Sequence, residues 1–245
     1  MARVAINGFG RIGRTFFKMA HDHPDFEIVA INDLGDLENL AYLLRYDTAY
    51  GQSGFDVEVK EGGLTVNGKV IAFSQVRNPE ELPWGTKEID IVIEATGVFA
   101  SYEKSKGHLT AGAKRVIISG PAKDDPAAAG ISGATVLMGV NDDALSTCDI
   151  SSNASCTTNA TSPVVAILKE TIGIEKAILN TVHAYTSTQS IIDGPSKDFR
   201  KGRAAAQNII PTSTGAAVAT TKAHTDLTDK FDGDRKSTVG TPVTT

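Results

Sequence analysis

The sequence predicts an α/β fold, in which a mainly parallel sheet is followed by a smaller α+β domain. A β-branched run at residues 4–6 leads into a glycine-rich turn and then a helical pattern, which is the start of a βαβ unit. Two later runs, Ile89–Ala95 and Arg115–Ser119, are almost continuously apolar, as are strands of a parallel sheet that is covered on both faces. A length of 245 residues with 41% hydrophobic residues suits one large or two medium globular domains.

The elements of the first domain follow one another in βα alternation, with one excursion. Between Gly51 and Phe73 apolar and polar residues alternate, which predicts short strands joined by hairpin turns. The other expected elements are a helix over 14–21, a strand over 26–31, helices over 37–44 and 102–111, an exposed loop over 121–133 and a strand over 135–140.

A domain boundary is expected near Asn153 and separates residues 1–153 from residues 154–245. After it, a Ser/Asn/Thr cluster offers N-cap residues for a helix that runs to Thr171, with Pro163 compatible with an early helical turn. A strand over 177–183, a long polar loop from 184 to about 208 and a helix over 215–222 follow. Beyond Ala223 the sequence is rich in Thr, Asp and Gly, so no closing element is expected and the second domain is predicted to be incomplete.

The segment Gly8-Phe9-Gly10-Arg11-Ile12-Gly13 has the spacing GxGxxG between a strand and a helix, and Asp33 closes the second strand. In that context the first glycine allows the turn, the second lets a pyrophosphate approach, and the third permits close packing of helix on strand. These features predict a Rossmann-type dinucleotide site. Asp33 would accept hydrogen bonds from ribose hydroxyls and repel a 2′-phosphate, which favours NAD over NADP. The alternatives are a merely tight turn and a loop-capping role for Asp33.

Cys156 lies among small polar residues just before an apolar, helix-like run, where a helix N-terminus would stabilise a thiolate. A small buried thiol is the alternative. His183 ends an apolar strand and begins a polar stretch, so its side chain can face a cleft and pair with Cys156 in covalent catalysis on a carbonyl. A structural histidine is the alternative for His183. The remaining histidines have no supporting context in the sequence: His21, His23, His108 and His224.

Charge and cysteine content exclude several classes of function. The formal net charge is −5 with acidic and basic residues interspersed, so neither nucleic acid nor an anionic membrane is an expected partner. No apolar run approaches the roughly 20 residues that span a bilayer, and no signal peptide precedes the first strand, so the cytoplasm is the expected compartment. The two cysteines, Cys148 and Cys156, are too few for a disulfide scaffold and show no metal-ligand spacing.

Four segments of the chain resemble glyceraldehyde-3-phosphate dehydrogenase, a family of glycolytic enzymes. They are Asn7 to Arg14, Ser152 to Asn159, Thr181 to Thr186 and Asn208 to Ala217. The octapeptide that contains Cys156 is the most specific of them, and the resemblance extends from Ala2 to about Ala217.

Departures from the family's pattern begin after Ala217, where the sequence becomes polar. The arginine expected a few residues after Gly233 is out of register, although Arg235 lies close. The resemblance therefore implies that the C-terminal part of the family's catalytic domain is lacking.

The resemblance implies NAD-dependent oxidation of D-glyceraldehyde 3-phosphate to 1,3-bisphosphoglycerate through a thioester on Cys156. Inorganic phosphate would be the second substrate and His183 the general base. The resemblance also implies a homotetramer, in which residues 184–207 border the cofactor of a neighbouring subunit. Two alternatives stay open, namely dehydrogenation of another phosphorylated aldehyde such as erythrose 4-phosphate, and a non-catalytic NAD-binding fragment.

The matching motifs assign the family's site residues to positions of this chain, and no metal is expected among the ligands. The cofactor, NAD, would be held by Gly8, Gly10, Arg11, Ile12, Gly13, Asp33, Arg77, Thr96, Gly97 and Ser119. The attacking phosphate would be held by Ser155, Thr157, Thr214 and Gly215, and the substrate phosphate by Thr186.

Overall fold

The computed structural model describes residues 1–60, 62–212, 214–228 and 230–238. The chain divides into two compact units. The first comprises Met1–Val136 and Asp142–Ala154, and the second comprises Leu137–Asn141 and the residues from Ser155 onward. No helix among the described residues is both long enough and apolar enough to cross a membrane.

The first unit is built on a mainly parallel sheet. Its helices are α1 (Arg11–Ala20), α2 (Leu37–Arg45) and α3 (Tyr102–Thr110). Its strands are β1 (Ala2–Asn7), β2 (Phe26–Asn32), β3 (Tyr46–Asp47), β4 (Gly51–Gln52), β5 (Val57–Lys60), β6 (Gly63–Val66), β7 (Lys69–Ser74), β8 (Ile91–Glu94), β9 (Arg115–Ile118), β10 (Gly133–Thr135) and β11 (Ile150–Ser152). Nine of them, among the described residues, pair in the order β10-β11-β9-β8-β1-β2-β7-β6-β5.

Alternation of side chains along the central strands places apolar residues on both faces of this sheet. On β1, Ile6 joins one buried cluster together with Phe17 of α1, whereas its neighbour Ala5 joins a second cluster together with Trp84. Successive residues of a strand point to opposite faces, so both faces are covered. The seven strands from β10 to β7 are parallel, and β6 and β5 continue the sheet as antiparallel hairpins.

Local capping explains where the helices of this unit begin. Asp36 caps α2 by accepting a hydrogen bond from the backbone N–H of Asn39 at 2.9 Å, and Ser101 caps α3 through the N–H of Lys104 at 3.2 Å. Helix α1 begins at Arg11, three residues before the expected start. The backbone N–H of Arg14 already donates to the carbonyl of Gly10, so the glycine turn passes directly into the helix.

The prediction of a strand over 135–140 is wrong, because the strand is β10 at Gly133–Thr135. The apolar residues that follow form a turn instead. The backbone N–H of Leu137 donates to the Asn141 side chain at 2.8 Å, and the N–H of Val140 donates to the Leu137 carbonyl at 3.0 Å. Gly139, with φ of +74°, supplies the left-handed conformation that this turn requires.

The second unit contains two helices and a three-stranded sheet. The helices are α4 (Cys156–Thr171) and α5 (Ala216–Ala223). The strands are β12 (Ala177–Ala184), β13 (Ile210–Thr212) and β14 (Phe231–Thr238), in the order β12-β14-β13. Strands β12 and β14 are parallel, and β13 is antiparallel to β14. The long segment between β12 and β13 contains a single 3₁₀ turn, Phe199–Gly202, among its described residues.

Two expectations for the second unit are wrong. No closing element was expected beyond Ala223, yet β14 is the middle strand of the sheet. Its sequence, FDGDRKST, lacks the apolar alternation of a strand, and pairing with both neighbours overrides that weak local preference. Pro163 was expected in an early helical turn but lies in the interior of α4, because the helix begins seven residues before it, at Cys156.

Candidate active site

The three glycines of the first turn each have a separate steric reason to lack a side chain. At Gly8, with φ of +94°, a Cβ would lie 2.6 Å from the backbone nitrogen of Thr96. At Gly13, a Cβ would lie 2.0 Å from the carbonyl oxygen of Gly8, so helix and strand could not pack as closely. At Gly10 a Cβ would meet no atom within 4 Å, so this glycine leaves open space above the turn.

This open space lies at the N-terminus of α1, where an anion fits. The N-cap residue, Gly10, supplies no side-chain hydrogen bond to the first turn. The backbone N–H groups of that turn are therefore available to oxygen atoms of a pyrophosphate, and the helix dipole favours negative charge at this end. Arg14 stabilises the turn, because its buried guanidinium donates a hydrogen bond to the Phe9 carbonyl at 2.8 Å. Burial, together with the nearby charge of Arg11, lowers the pKa of Arg14.

Asp33 bridges the glycine turn and the loop that follows β2. Its carboxylate accepts hydrogen bonds from the backbone N–H of Phe9 at 2.6 Å and of Gly35 at 2.7 Å. These are the contacts of a loop-capping residue. Two bonds leave acceptor capacity on a carboxylate, which has about four lone-pair sites, so ribose hydroxyls fit the same group.

Arg11 is held by a carboxylate that the sequence reasoning missed. Asp47, at the end of β3, lies 3.3 Å from the Arg11 guanidinium and 3.4 Å from the Lys18 ammonium, and its side chain is only 4% exposed. Burial alone would raise the pKa of Asp47, but the backbone N–H groups of Ala49 and Tyr50 and the charge of Arg11 outweigh it and lower the pKa to about 2. Asp47 is 36 residues from Arg11 in sequence, so no local pattern could have indicated the pair.

The remaining predicted cofactor residues lie at the same edge of the sheet. Ile12 is half-buried in the first turn of α1. The others follow the carboxyl ends of three strands, where ligands bind in open parallel sheets. Exposed Arg77 follows β7, Thr96 and Gly97 follow β8, and Ser119 follows β9, with its backbone N–H donating to the Glu94 carbonyl at 2.9 Å.

His108 was given no supporting context in the sequence, and the structure corrects this. Its ring is fully buried and lies 3.1 Å from the Glu94 carboxylate and 3.0 Å from the indole nitrogen of Trp84. The three residues come from separate segments, which is why no sequence pattern could have revealed the cluster. His224 is also buried, with its Nε2 atom 3.2 Å from the Ser162 carbonyl oxygen.

Cys156 is the first residue of α4. Ser155 is its N-cap and accepts a hydrogen bond from the backbone N–H of Thr158 at 3.1 Å. Cys156 is a partly exposed residue, and its sulfur lies 4.0 Å from the hydroxyl of Thr157. Cys148 is buried, and burial raises the pKa of its thiol. Ala154, just before the cap, has a left-handed φ of +53°, an uncommon conformation for a residue other than glycine.

Helices α4 and α5 contact each other in the second unit. Ser162 contacts Thr220 at 3.4 Å near the middle of the two helices, and Lys169 of α4 pairs at 2.6 Å with Asp226, which lies beyond the end of α5. At the start of α5, the Thr214 hydroxyl accepts a hydrogen bond from the N–H of Ala216 at 3.1 Å. Exposed Gly215 is the N-cap.

His183 is the penultimate residue of β12, and its ring orientation fixes the tautomer. Nδ1 lies 2.6 Å from the backbone carbonyl oxygen of Ala184. A carbonyl only accepts hydrogen bonds, so Nδ1 carries the proton and Nε2 of the neutral ring has the basic lone pair. In the turn that follows, the Thr186 N–H donates to the Gln189 side chain at 2.9 Å, and its hydroxyl lies 2.9 Å from that of Thr188.

The structure thus groups the predicted residues at three places. The cofactor residues lie along one edge of the first sheet. In the second unit, the two helix N-termini hold Ser155, Cys156, Thr157, Thr214 and Gly215, while His183 and Thr186 lie at the carboxyl end of β12. Arg235 lies in β14 in register with Thr181, and its side chain is outside the part of the chain that the structure describes.

Comparison with known proteins matches both units to one family. Residues 2–102 match the model of the glyceraldehyde 3-phosphate dehydrogenase NAD binding domain, and residues 155–244 match that of the C-terminal domain. Three similar proteins are glyceraldehyde-3-phosphate dehydrogenases of Haemophilus influenzae (49% identity), Streptomyces coelicolor (48%) and Bacillus subtilis (46%). Each alignment covers 94% of this chain and 66%, 68% and 68% of the relative, respectively, so the chain spans about two thirds of their length.

Proposed function

The chain belongs to the glyceraldehyde-3-phosphate dehydrogenase family, and from this membership we propose that it oxidises D-glyceraldehyde 3-phosphate to 1,3-bisphosphoglycerate with NAD and inorganic phosphate. The observation that carries the proposal is the position of Cys156 as the first residue of α4. A thiolate at a helix N-terminus is stabilised by the helix dipole and by backbone N–H groups, and thiolate is the nucleophilic form of cysteine.

NAD belongs to the first unit, whose family model is an NAD-binding domain. Gly10 and the first turn of α1 would receive the pyrophosphate, and Asp33 would receive the adenosine ribose, because each presents the group that those oxygens require. When bound, NAD supplies the hydride acceptor for the oxidation. Arg11, held by Asp47, would add positive charge beside the pyrophosphate.

In the first chemical step, His183 Nε2 takes the thiol proton of Cys156, the sulfur bonds to the aldehyde carbon, and the same proton passes to the carbonyl oxygen, which gives a hemithioacetal. His183 Nε2 then accepts the hydroxyl proton while the hydride leaves the same carbon for the nicotinamide that NAD would supply, so the hemithioacetal becomes a thioester. An oxygen of inorganic phosphate attacks the thioester carbon, the carbon–sulfur bond breaks, and the acyl phosphate leaves with Cys156 as thiolate. The backbone N–H groups at the start of α4 are suitable donors for the oxyanion of each tetrahedral intermediate.

The lengths of α4 and β12 support a pairing of Cys156 with His183. A helix of 16 residues is about 24 Å long and a strand of eight residues about 26 Å. The connection between them, residues 172–176, is short. We propose that β12 returns along α4 and so brings His183 to the end where Cys156 lies.

Hydroxyl and backbone N–H groups at the two helix N-termini suit a phosphate. Ser155 and Thr157 would contribute from α4, and Thr214 and Gly215 from α5, which contacts α4. Thr186, in the turn after β12, would contact the phosphate of the substrate. Each helix N-terminus offers backbone N–H donors to an anion, and we propose that the two act on the same phosphate.

The family's assembly, a homotetramer in the cytoplasm, is part of this proposal. Three large apolar side chains of the polar loop are exposed and support its role at a subunit boundary: Ile191, Ile192 and Phe199. Exposed apolar groups in one segment are typical of interaction surfaces. Light scattering of the purified chain should give four times the monomer mass if the homotetramer forms.

The decisive experiment separates acylation from turnover. The chain is mixed with NAD and glyceraldehyde 3-phosphate without inorganic phosphate, and the acyl adduct on Cys156 is measured by mass spectrometry. Phosphate is then added and NADH formation is followed. We expect one adduct per chain in the first stage, turnover only in the second, and neither with Cys156→Ser. Cys148→Ser is the matched control and should behave as the wild type.

Each other outcome points to a named alternative. NADH turnover without phosphate would reject the phosphorylating reaction. Binding of NAD by calorimetry without any adduct would identify a non-catalytic NAD-binding protein. A higher kcat/KM with erythrose 4-phosphate than with glyceraldehyde 3-phosphate would change the substrate and leave the chemistry of Cys156 as proposed.

A further inference from the structure

A continuous chain of hydrogen-bonded side chains runs under the cofactor edge of the first sheet, and all of its members except the half-buried Ser74 are buried. Its members are Trp84, His108, Glu94, Asn7, Asn32 and Ser74, which we call the strand-end chain. Four of these residues are the last residues of neighbouring strands: Glu94 of β8, Asn7 of β1, Asn32 of β2 and Ser74 of β7. The strand-end chain therefore connects the carboxyl ends of four adjacent parallel strands.

The direction of each hydrogen bond in the strand-end chain follows from its partners. The indole N–H of Trp84 can only donate, so Nδ1 of His108 accepts it at 3.0 Å. The proton of the neutral ring is then on Nε2, which donates to Glu94 at 3.1 Å. The amide of Asn7 donates to the same Glu94 oxygen at 2.6 Å, and its carbonyl accepts from Asn32 at 2.8 Å. The donors of the strand-end chain thus lead to the Glu94 carboxylate from both directions, from Trp84 through His108 and from Ser74 through Asn32 and Asn7.

The other oxygen of Glu94 holds the loop that follows β8. It accepts hydrogen bonds from the backbone N–H of Thr96 at 2.8 Å and from the Thr96 hydroxyl. The hydroxyl in turn accepts the N–H of Val98 at 3.1 Å. Glu94 is 1% exposed and accepts four hydrogen bonds, which is the full capacity of an ionised carboxylate.

Each strand in this set leads directly into a segment proposed to contact NAD. Asn7 precedes Gly8, and Asn32 precedes Asp33. Asn32 also fixes the backbone of Val76, the residue before Arg77. Its side chain accepts a hydrogen bond from the N–H of Val76 and donates one to the Val76 carbonyl, both at 2.9 Å. The four segments that are proposed to contact NAD are thus linked by one hydrogen-bonded network.

We propose that the strand-end chain, with Glu94 as its anionic acceptor, is a positioning device that fixes these four segments in the geometry that binds NAD. Glu94, His108 and Trp84 are positioning residues because they act through Thr96 and Asn7 and need not touch the cofactor. The proposal rests on the binding of NAD to this unit. A buried network of this kind is rigid only while every member has its hydrogen-bond partners. The loss of one partner therefore loosens the other members as well.

Glu94→Gln is the sharpest test, because it preserves size while it removes the negative charge and the capacity to accept at both oxygens. Whichever way the new amide is placed, its NH₂ group faces an N–H donor, from Thr96 on one side or from Asn7 and His108 on the other. We expect the Kd for NAD, measured by calorimetry, to rise by at least about tenfold. Hydrogen exchange of the Thr96 and Val98 amides, measured without NAD, should accelerate by a similar factor.

His21→Phe is the matched control within the same unit. His21 is buried, like most residues of the strand-end chain, and its ring stacks on Phe17 with ring centroids 4.9 Å apart. It makes no hydrogen bond to the strand-end chain. We expect it to change the NAD affinity and the two exchange rates by less than about twofold, even where it lowers the melting temperature as much as Glu94→Gln does.

Trp84→Phe is a second test of the positioning role, which applies even if Glu94→Gln does not fold. Trp84 is the single tryptophan of the chain, and the change removes the N–H group while keeping an aromatic ring. Nitrogen-15 NMR should find the proton of His108 on Nε2 in the wild type, because Nδ1 accepts the indole N–H of Trp84. Trp84→Phe should bind NAD more weakly than His21→Phe does.

The possible failures are distinguishable. If the wild type binds NAD and both Glu94→Gln and Trp84→Phe match His21→Phe in affinity and loop exchange, the positioning role is overturned. A wild-type His108 with its proton on Nδ1 would overturn the direction of the network. If the wild type does not bind NAD, the proposed function fails together with the cofactor role, while slow exchange at Thr96 and its loss in Glu94→Gln would still identify Glu94 as the anchor of the loop.

Discussion

The hydroxyl of Ser155 lies 3.1 Å from the backbone nitrogen of Thr158, and this N-cap bond makes the next residue, Cys156, the first residue of α4. A residue in that position lies among the unpaired N–H groups of the first turn. The proposed nucleophile thus owes its electrostatic surroundings to a neighbouring side chain that also starts the helix. Stability and reactivity should therefore change together when that side chain is altered.

Ser155→Ala should lower the free energy of unfolding by about 1 kcal/mol, the usual cost of losing an N-cap side chain. Alkylation of Cys156 by iodoacetamide at neutral pH should slow in the same variant, because a frayed first turn no longer holds its backbone N–H groups around the sulfur. Urea denaturation and the rate of mass increase give the two quantities. Thr171→Ala, at the opposite end of α4, should leave the alkylation rate unchanged. An equal slowing in both variants would contradict the prediction.

Gly13→Ala should lower the stability of the fold, whereas Gly10→Ala should weaken NAD binding. The Cβ of the first would lie 2.0 Å from the Gly8 carbonyl oxygen, so we expect a loss of several kcal/mol of stability. The second has open space, so its unfolding free energy should change by less than about 1 kcal/mol. Its methyl group would nevertheless occupy the space predicted for the pyrophosphate, and the Kd for NAD should rise at least about tenfold. Normal NAD affinity in Gly10→Ala would place the pyrophosphate elsewhere.

The sequence predicted the first unit well because its strands are apolar runs and its turns contain the glycines that their geometry requires. Helix α4 was predicted to its last residue, since Ser155 and the apolar run after it are local signals. Strand β14 was missed, because FDGDRKST becomes a strand only between two neighbours that lie elsewhere in the chain. The Arg11–Asp47 pair and the strand-end chain were missed for the same reason, since their partners come from distant segments.

Acid should remove the stabilising contribution of Asp47. The pKa of this carboxyl is about 2 in the folded chain and has an ordinary value of 3.8. A pKa that is lowered by folding stabilises the folded state above the ordinary value, and this contribution, about 2 kcal/mol at most, is lost as the pH falls from about 4 to about 2. Asp47→Asn should therefore be less stable than the wild type at pH 6, with a difference that shrinks toward pH 2.

Urea denaturation at several pH values tests this expectation. Asp22→Asn is the control, because Asp22 is exposed at 66% and its ion pairs among the described residues are with Lys69, at 3.4 Å, and with His21, at 3.8 Å. Its stability should follow that of the wild type across the same range. A constant difference between Asp47→Asn and the wild type from pH 6 to pH 2 would show that the carboxylate charge of Asp47 is not what stabilises the fold.

The two cysteines should differ sharply toward alkylating reagents, because one is buried and the other begins a helix. Burial raises the pKa of the Cys148 thiol, so at pH 7.5 this residue has less thiolate as well as less access to the reagent. Treatment with iodoacetamide should therefore add one carbamidomethyl group, and peptide mapping should locate it on Cys156. In 8 M urea both thiols become exposed and two groups should be added. Cys156→Ser should remain unmodified under native conditions, whereas rapid native modification of Cys148 would mean that the first unit opens around it.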